Sequence, residues 1–355
     1  MGDLHTIAVD GAHCIGEARR EAAAAALAIG FNARAVEEVS IIVTELATNL
    51  ARHTTHGGAI QFQRVQTGPF NGARTGIEIV SVDTGPGIVD VERALAGGFS
   101  TAGSLGQGLS AVKRLADVFD IHSRTVDQPG PPATNPRNHI GTVIAARKWL
   151  AAPLGSASGG GFEHSVFSRP HPAEKLNGDA FYRKDLGDVM LVAVFDALGH
   201  GSQAHAAARA ALDDLETHHL DPLEAIVRGL HQQLRGTRGG VLGLARLDYA
   251  ARTLSYCGVG NIDARVLRAP VSTRPFSHAG TLGATLPRVE VQTFPWFPGA
   301  LLVLASDGIS TKWDLAQYPG LAERRPSIIA ATLLRDFVRA EDDATVAVMQ
   351  WRAHP

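Results

Sequence analysis

Two kinds of apolar spacing alternate along the chain. Across Ile15–Ile29 and Ala35–His53 apolar residues recur every three or four positions, which gathers them on one helical face; Gly76–Val82 alternates residue by residue, as a half-buried strand does. The same reading predicts a helix over Leu105–Ala116 and strands over Val118–Thr125 and Gly141–Trp149. Further along it predicts strands over Gly178–Arg183 and Val189–Phe195, then helices over Ser202–Thr217 and Pro222–Leu234. Strands at Val241–Leu247, Thr253–Val259, Ala264–Arg268, Leu301–Ala305 and Thr345–Trp351 complete the pattern. The first half mixes helices and strands, and the second reads as strands flanked by helices, so the fold class is α+β; no fixed period repeats.

Breaks in the pattern divide the chain. Residues 151–161 (AAPLGSASGGG) are small and flexible, the composition of a linker, and separate a domain at 1–150 from one at 162–355. A length of 355 residues agrees with two domains. Residues 127–138 (DQPGPPATNPRN) are proline-rich and lie between two predicted strands, which makes them a long hairpin loop in the first domain, with a lid or partner-docking loop as the alternative.

Composition narrows the function classes. Thirty-three Lys and Arg against 35 Asp and Glu give a net charge of −2, which argues against gripping a nucleic-acid backbone by bulk charge. No apolar run reaches 18 residues; the richest, Val189–Leu198, is broken by Asp196 and suits a buried strand, so no membrane span is expected. Cys14 and Cys257 are too few for a disulfide framework or a thiolate zinc site, and no secretory leader is visible, so a cytoplasmic protein is expected.

Candidate chemistry in the first half begins at ELATNLARH, where Glu45 and Asn49 are four apart and share a helix face. Their oxygens suit Mg²⁺ and can orient a hydroxyl, although such a pair on its own is more often solvated surface. In VDTGPGI a strand ends at Asp83, an acceptor suited to an amino group such as that of adenine, and Gly85 and Gly87 permit close backbone approach; a plain Asp-Gly turn is the simpler alternative. A glycine- and serine-rich stretch containing Gly106 then runs into a helix near Gly108, an arrangement suited to phosphate oxygens. No GxxxxGK[ST] motif is present, so a nucleotide would be held by another architecture.

In this order and spacing the three segments resemble the GHKL ATPase superfamily, and within it the bacterial anti-sigma and switch-kinase branch, over residues 1–149; GLSAVKRLAD is most similar to the RsbT type. The resemblance implies an α/β sandwich that binds ATP and Mg²⁺, with Asn49 on the metal and Glu45 as base toward the serine or threonine to be phosphorylated. It further implies Asp83 on adenine, Gly85, Gly87, Gly106 and Gly108 shaping pocket and lid, and Thr142 near the base. The proline-rich insertion departs from the compact pattern of that family.

In the second half four aspartate settings follow apolar runs: Gly178-Asp179, FDALGHG at 195–201, Ser306-Asp307-Gly308 and Asp342-Asp343-Ala344-Thr345. Strand-end aspartates often serve turns, yet convergence of these four would form a carboxylate cluster able to hold two divalent ions and activate water toward a phosphoryl group. Together with GVGNIDARV at 258–266, the set resembles the metal-dependent protein phosphatases in their SpoIIE-like and RsbX-like branch, over about residues 162–352. That resemblance implies an α-β-β-α sandwich. Asp196 would bridge two Mn²⁺ or Mg²⁺ ions, with Asp179 and the Ala197 carbonyl on one side and Asp307 and Asp342 on the other; Asp343 is the alternative to Asp342. Position 197 is usually glycine in that family, and no counterpart of the phosphate-binding arginine of the larger relatives is visible.

His53, His56, His218 and His219 lack spaced metal-ligand partners and read as surface or packing residues, and Cys257 reads as a buried strand residue. The run Ala22–Ala26 suits packing against a partner or second subunit, which makes a homodimer an expectation. The two resemblances together imply a serine/threonine kinase fused to a metal-dependent phosphatase, acting on a STAS-domain protein of a stressosome or partner-switching pathway. The alternative is an ATP-binding module that sequesters a sigma factor or phosphatase activator and regulates the C-terminal phosphatase.

Overall fold

Capping residues set the boundaries of the first helices. After β1 (His5–Val9), α1 (Ile15–Ile29) ends on Gly30, whose left-handed φ of 103° lets its N–H reach the carbonyls of Ala26 and Leu27. Two residues later the Asn32 side chain accepts from Ala35 N at 2.9 Å and starts α2 (Ala33–His53). α2 buries Val39, Ile42, Val43, Leu46, Ala47 and Leu50, and the small residues Ala18, Ala22 and Ala26 of α1 pack into the same core. Ala22 and Ala26, expected to meet a partner or second subunit, thus face inward, because their i, i+4 spacing aligns them with the α2 contact.

The chain continues through β2 (Gly58–Gln66), β3 (Thr75–Asp83), α3 (Val91–Ala96), α4 (Gly108–Leu115), β4 (Val118–Arg124) and β5 (Gly141–Trp149). Its five strands form one antiparallel sheet in the order β1-β2-β3-β5-β4, with helices on one face. This computed structural model describes residues 4–54, 57–67, 74–96, 108–128, 139–150, 161–268, 271–286 and 288–352. Gly106, His56, most of the proline-rich loop and all of the linker except Gly161 lie outside the described residues.

The second half comprises β6 (Gly161–Arg169), β7 (Asp179–Asp185), β8 (Val189–Ala197), α5 (Ser202–His218), α6 (Leu223–Gln233), β9 (Gly240–Asp248), β10 (Thr253–Val259) and β11 (Asp263–Arg268). β12 (Val271–Thr273), β13 (Gln292–Pro295), β14 (Leu301–Ala305), α7 (Pro326–Phe337) and β15 (Ala344–Arg352) follow. Two five-stranded sheets result, β13-β10-β9-β8-β7 and β12-β11-β14-β15-β6. β8 shows why its sequence is apolar throughout: Met190, Val192 and Val194 enter the core shared with β14 and β15, whereas Leu191, Ala193 and Phe195 pack under α5 and α6.

By internal contacts the chain forms two compact units. Unit 1 holds the described residues of Met1–Thr67, Gly72–Ala157 and Trp313–Asp336; unit 2 holds those of Ser158–Lys312 and Phe337–Pro355. Unit 1 is therefore discontinuous in sequence. Its late segment is tied to β4, where Asp120 accepts from Arg325 N at 2.7 Å and from Arg324 Nη1 at 3.2 Å, and His122 Nε2 donates to Pro319 O at 3.3 Å.

Candidate nucleotide pocket and candidate metal centre

In unit 1 the C-terminal half of α2, the end of β3 and the start of α4 enclose a cavity of about 460 Å³, within the usual range for small-molecule sites. Asn49, Asp83, Gly87, Gly108 and Thr142 line it, together with His53, Pro86 and Arg93. Asp83 is fixed by its backbone neighbours: Oδ1 accepts from Gly85 N at 2.8 Å and Thr142 N at 3.1 Å. Both bonds use one oxygen, so Oδ2 remains for a donor entering the cavity. Burial raises the Asp83 carboxyl above its ordinary pKa, while the two backbone donors, Arg335 and His53 act in the opposite direction.

The glycines serve close approach. A Cβ on Gly108 would meet Glu45 Oε2 at 2.7 Å and Asn49 Oδ1 at 3.8 Å, so the first residue of α4 rests directly on this pair. Gly87 has φ of 76°, and a side chain there would collide with the Arg124 carbonyl; packing against β4 as well as the cavity demands glycine. Thr142 Oγ1 shares a hydrogen bond with Ser123 Oγ at 2.8 Å, and Ser123 Oγ accepts from Ile88 N at 2.7 Å, which links three parts of the wall. His53 lines the cavity although its sequence context suggested only surface or packing; the helical spacing from Asn49, four residues, was the available signal.

In unit 2 strand pairing assembles the acidic residues. Asp179 and Asp196 are direct cross-strand partners on β7 and β8. Ser306, just beyond β14, donates its hydroxyl to Asp179 Oδ2 at 2.6 Å and accepts from Thr345 N at 2.9 Å, which joins the two sheets beside Asp307. Burial first, then the charges of Asp179, Asp307 and Asp342, pushes the Asp196 carboxyl far above its usual range. Asp179 is raised by burial and Asp342 by burial and then Asp307. Asp343 is occupied by the chain itself, accepting from His171 N at 2.8 Å and Gly178 N at 3.1 Å.

Asp179 Oδ1 is buried without a hydrogen-bond partner among the described residues. An orphaned carboxylate oxygen inside a cluster of mutually repelling oxygen donors fits a hard divalent cation. Ala197 fits as well: the non-glycine residues with positive φ among those described are His139 and Arg252, so position 197 does not require glycine, and its methyl group enters the core under α5. Sequence reasoning missed Asn261, whose amide donates to Asp307 Oδ2 at 2.9 Å; its place inside GVGNID was the only signal. It also missed the stacked imidazoles of His171 and His200, 4.3 Å apart, with His200 Nδ1 3.1 Å from Glu174 Oε1. His218 and His219 bond backbone carbonyls near the end of α5, with His218 Nδ1 also 3.2 Å from Asp214 Oδ1 in the same helix, and buried Cys257 has its thiol pushed up to about 11 by desolvation.

Comparison with known proteins matches two separate stretches of the chain. Residues 11–130 match the histidine kinase-like ATPase domain, and residues 187–352 match stage II sporulation protein E. The serine/threonine-protein kinase RsbT of Bacillus subtilis is 33% identical over 122 residues, 34% of this chain and 78% of RsbT. The phosphoserine phosphatase RsbX of the same organism is 25% identical over 147 residues, 41% of this chain and 73% of RsbX. A solved structure described under "The bacterial stressosome: a modular system that has been adapted to control secondary messenger signaling" is 30% identical, with a TM-score of 0.51, covering 54% of this chain and all of that one. No helix among the described residues is long and apolar enough to cross a membrane. The chain belongs to the RsbT-related histidine kinase-like ATPases through its N-terminal domain, which is followed by a SpoIIE-type phosphatase domain homologous to RsbX.

Proposed function

We propose that the chain is a bifunctional partner-switching regulator that phosphorylates a serine or threonine of a STAS-domain protein with ATP and removes phosphate from phosphoserine or phosphothreonine at a dimetal site. The observation that carries the kinase reading is the position of Glu45 and Asn49 against Gly108, beside a cavity that Asn49, Gly108 and Asp83 line together. In this reading Asp83 accepts from the adenine amino group, Asn49 holds Mg²⁺, and amides at the start of α4 receive phosphate oxygens. Glu45 accepts the hydroxyl proton as the substrate oxygen attacks the γ-phosphorus, and ADP leaves.

For the phosphatase, Asp196, Asp179, the Ala197 carbonyl, Asp307 and Asp342 hold two Mn²⁺ or Mg²⁺ ions, and Asn261 orients Asp307. Asp342 is preferred to Asp343 because both Asp343 oxygens already accept backbone N–H groups. When bound, the two ions supply Lewis acidity toward the phosphoryl group. The chain's own part is to gather their ligands and to present a seryl phosphate to them at the mouth of the two sheets.

The test is the intact mass of a STAS-domain protein encoded beside this one, incubated with Mg-ATP and the Asp307→Asn variant, then with wild-type protein and Mn²⁺. A gain of one phosphoryl group followed by its loss supports both activities. No gain while ATP binds favours the sequestering module, and gain without later loss removes the phosphatase half of the reading for that substrate.

A further inference from the structure

The candidate nucleotide pocket is braced by a segment that begins 183 residues beyond the end of the matched ATPase stretch, at residue 313 against 130. Trp313–Asp336 falls inside the stretch matching stage II sporulation protein E, yet it belongs to unit 1. Near its end the Arg335 side chain is buried and donates Nη1 to the backbone carbonyl of Asp83 at 3.1 Å. The same guanidinium is clamped by Asp336 through Nε to Oδ1 at 2.6 Å and Nη2 to Oδ2 at 2.9 Å. Asp336 Oδ2 also accepts from Tyr318 Oη at 2.8 Å, and Tyr318 Oη lies 2.8 Å from His139 Nδ1.

This network reaches Asp83 from a second direction. His139 holds φ of 83°, a conformation that non-glycine residues rarely adopt, and its carbonyl accepts from Arg124 Nη1 at 2.8 Å. Two residues on, Gly141 packs so closely on the Asp83 carbonyl that a Cβ would overlap it, and Thr142 supplies an N–H to Asp83 Oδ1. Arg335, Asp336 and Tyr318 therefore fix both the carbonyl of Asp83 and the turn that delivers a donor to its carboxylate.

We infer that Arg335 is a positioning residue of the nucleotide pocket, contributed by the phosphatase-type stretch of the chain, and that it sets the aim of Asp83 toward the base. The inference rests on the reading of the cavity as an adenine-nucleotide site. Its chemical signature is selectivity among bases: misdirecting Asp83 removes the advantage of an adenine amino group but leaves phosphate contacts intact, whereas general loosening of the unit weakens all nucleotides alike.

The experiment uses the full chain and measures binding of the methylanthraniloyl derivatives of ATP and GTP with Mg²⁺ by fluorescence. Wild type should prefer the adenine probe, and Asp83→Asn should lose that preference; absence of adenine binding in wild type overturns the pocket reading and this inference with it. If that control holds, Arg335→Met should weaken the adenine probe about tenfold and the guanine probe less than threefold, with partial recovery in Arg335→Lys, which keeps one donor. Tyr318→Phe loses a single hydroxyl and covers the case in which Arg335→Met does not fold; it should lower selectivity in the same direction by a smaller factor. Unchanged selectivity in these variants, or equal loss for both probes, overturns the assignment.

Discussion

The candidate nucleotide cavity and the carboxylate cluster handle negative charge in opposite ways. Asp83 is held at its cavity by backbone donors from Gly85 and Thr142 on one oxygen and a buried guanidinium behind its own carbonyl. Asp196 faces Asp179 across a strand pair and feels Asp307 and Asp342 as well, without a cation among its described neighbours to offset them. The first arrangement is complete as a protein structure and waits for a neutral donor. The second is an electrostatic debt that a ligand must settle, and the contrast predicts that nucleotide removal leaves unit 1 intact while metal removal destabilises unit 2.

The largest expected effect separates the two sites. Asp307→Asn should lower hydrolysis of a phosphoserine peptide with Mn²⁺ by more than about 100-fold, since it removes a charge from the proposed ligand set, and should leave binding of the ATP probe unchanged. Loss of both functions together would break the picture of two independent chemistries. Next in size, Asp83→Asn places an amide donor where an acceptor is needed; the ATP probe should bind about 10–100-fold more weakly while phosphoserine hydrolysis keeps its rate. Asn261→Ala sharpens the comparison further. Losing the donor to Asp307 should raise the Mn²⁺ concentration for half-maximal hydrolysis about tenfold with a smaller change in maximal rate. An unchanged Mn²⁺ titration would remove Asn261 from the site.

A fourth variant inverts the usual sign of a core substitution. Asp196→Asn deletes one of the repelling charges, so in EDTA it should raise the unfolding temperature of unit 2 by a few degrees, roughly 1 kcal/mol, although it abolishes metal-dependent hydrolysis. A lower unfolding temperature in EDTA would show that repulsion does not dominate there.

The same contrast explains what could be read from the sequence. Short motifs carried the site residues because glycine and aspartate at strand ends have few other uses at such density: Asp83-Thr84-Gly85-Pro86-Gly87 and Phe195-Asp196-Ala197 sit where their spacing put them, at the ends of β3 and β8. Elements with clear periodicity were also legible; α1, β10 and β14 match their predicted spans end to end. α7 was not, because PSIIAATLLRDF is apolar nearly all round and offers no contrast between faces. β1 was missed for its shortness, and β6 because it begins where the glycine-rich linker ends. Asn261 and Arg335 escaped for a different reason: each acts on a residue more than 40 positions away, Asp307 and Asp83, and no local pattern encodes that pairing.

The smallest expected effect concerns acid, and its sign follows from His122. Burial lowers the pKa of this imidazole from the ordinary 6.5 to about 4; the Arg335 and Arg324 cations push the same way, while the Pro319 carbonyl and Asp336 oppose them, and the Tyr318 ring packs beside it. The unfolded chain therefore takes up a proton at His122 near pH 6.5, whereas the folded chain takes it up only near pH 4. Stability present at neutral pH is lost as pH falls through that window, at most about 1.4 kcal/mol per pH unit. His122→Gln keeps a donor for the Pro319 carbonyl but cannot titrate. Urea unfolding of unit 1 in EDTA between pH 7 and 5 should thus show a shallower acid dependence in the variant than in wild type, with the two nearest at low pH. Parallel curves would mean that the unfolding step does not expose His122. The carboxylate cluster has the reverse dependence, since carboxyls raised by burial and then by mutual repulsion cost least when protonated, so acid should bring the two units' stabilities into opposite motion in one metal-free chain.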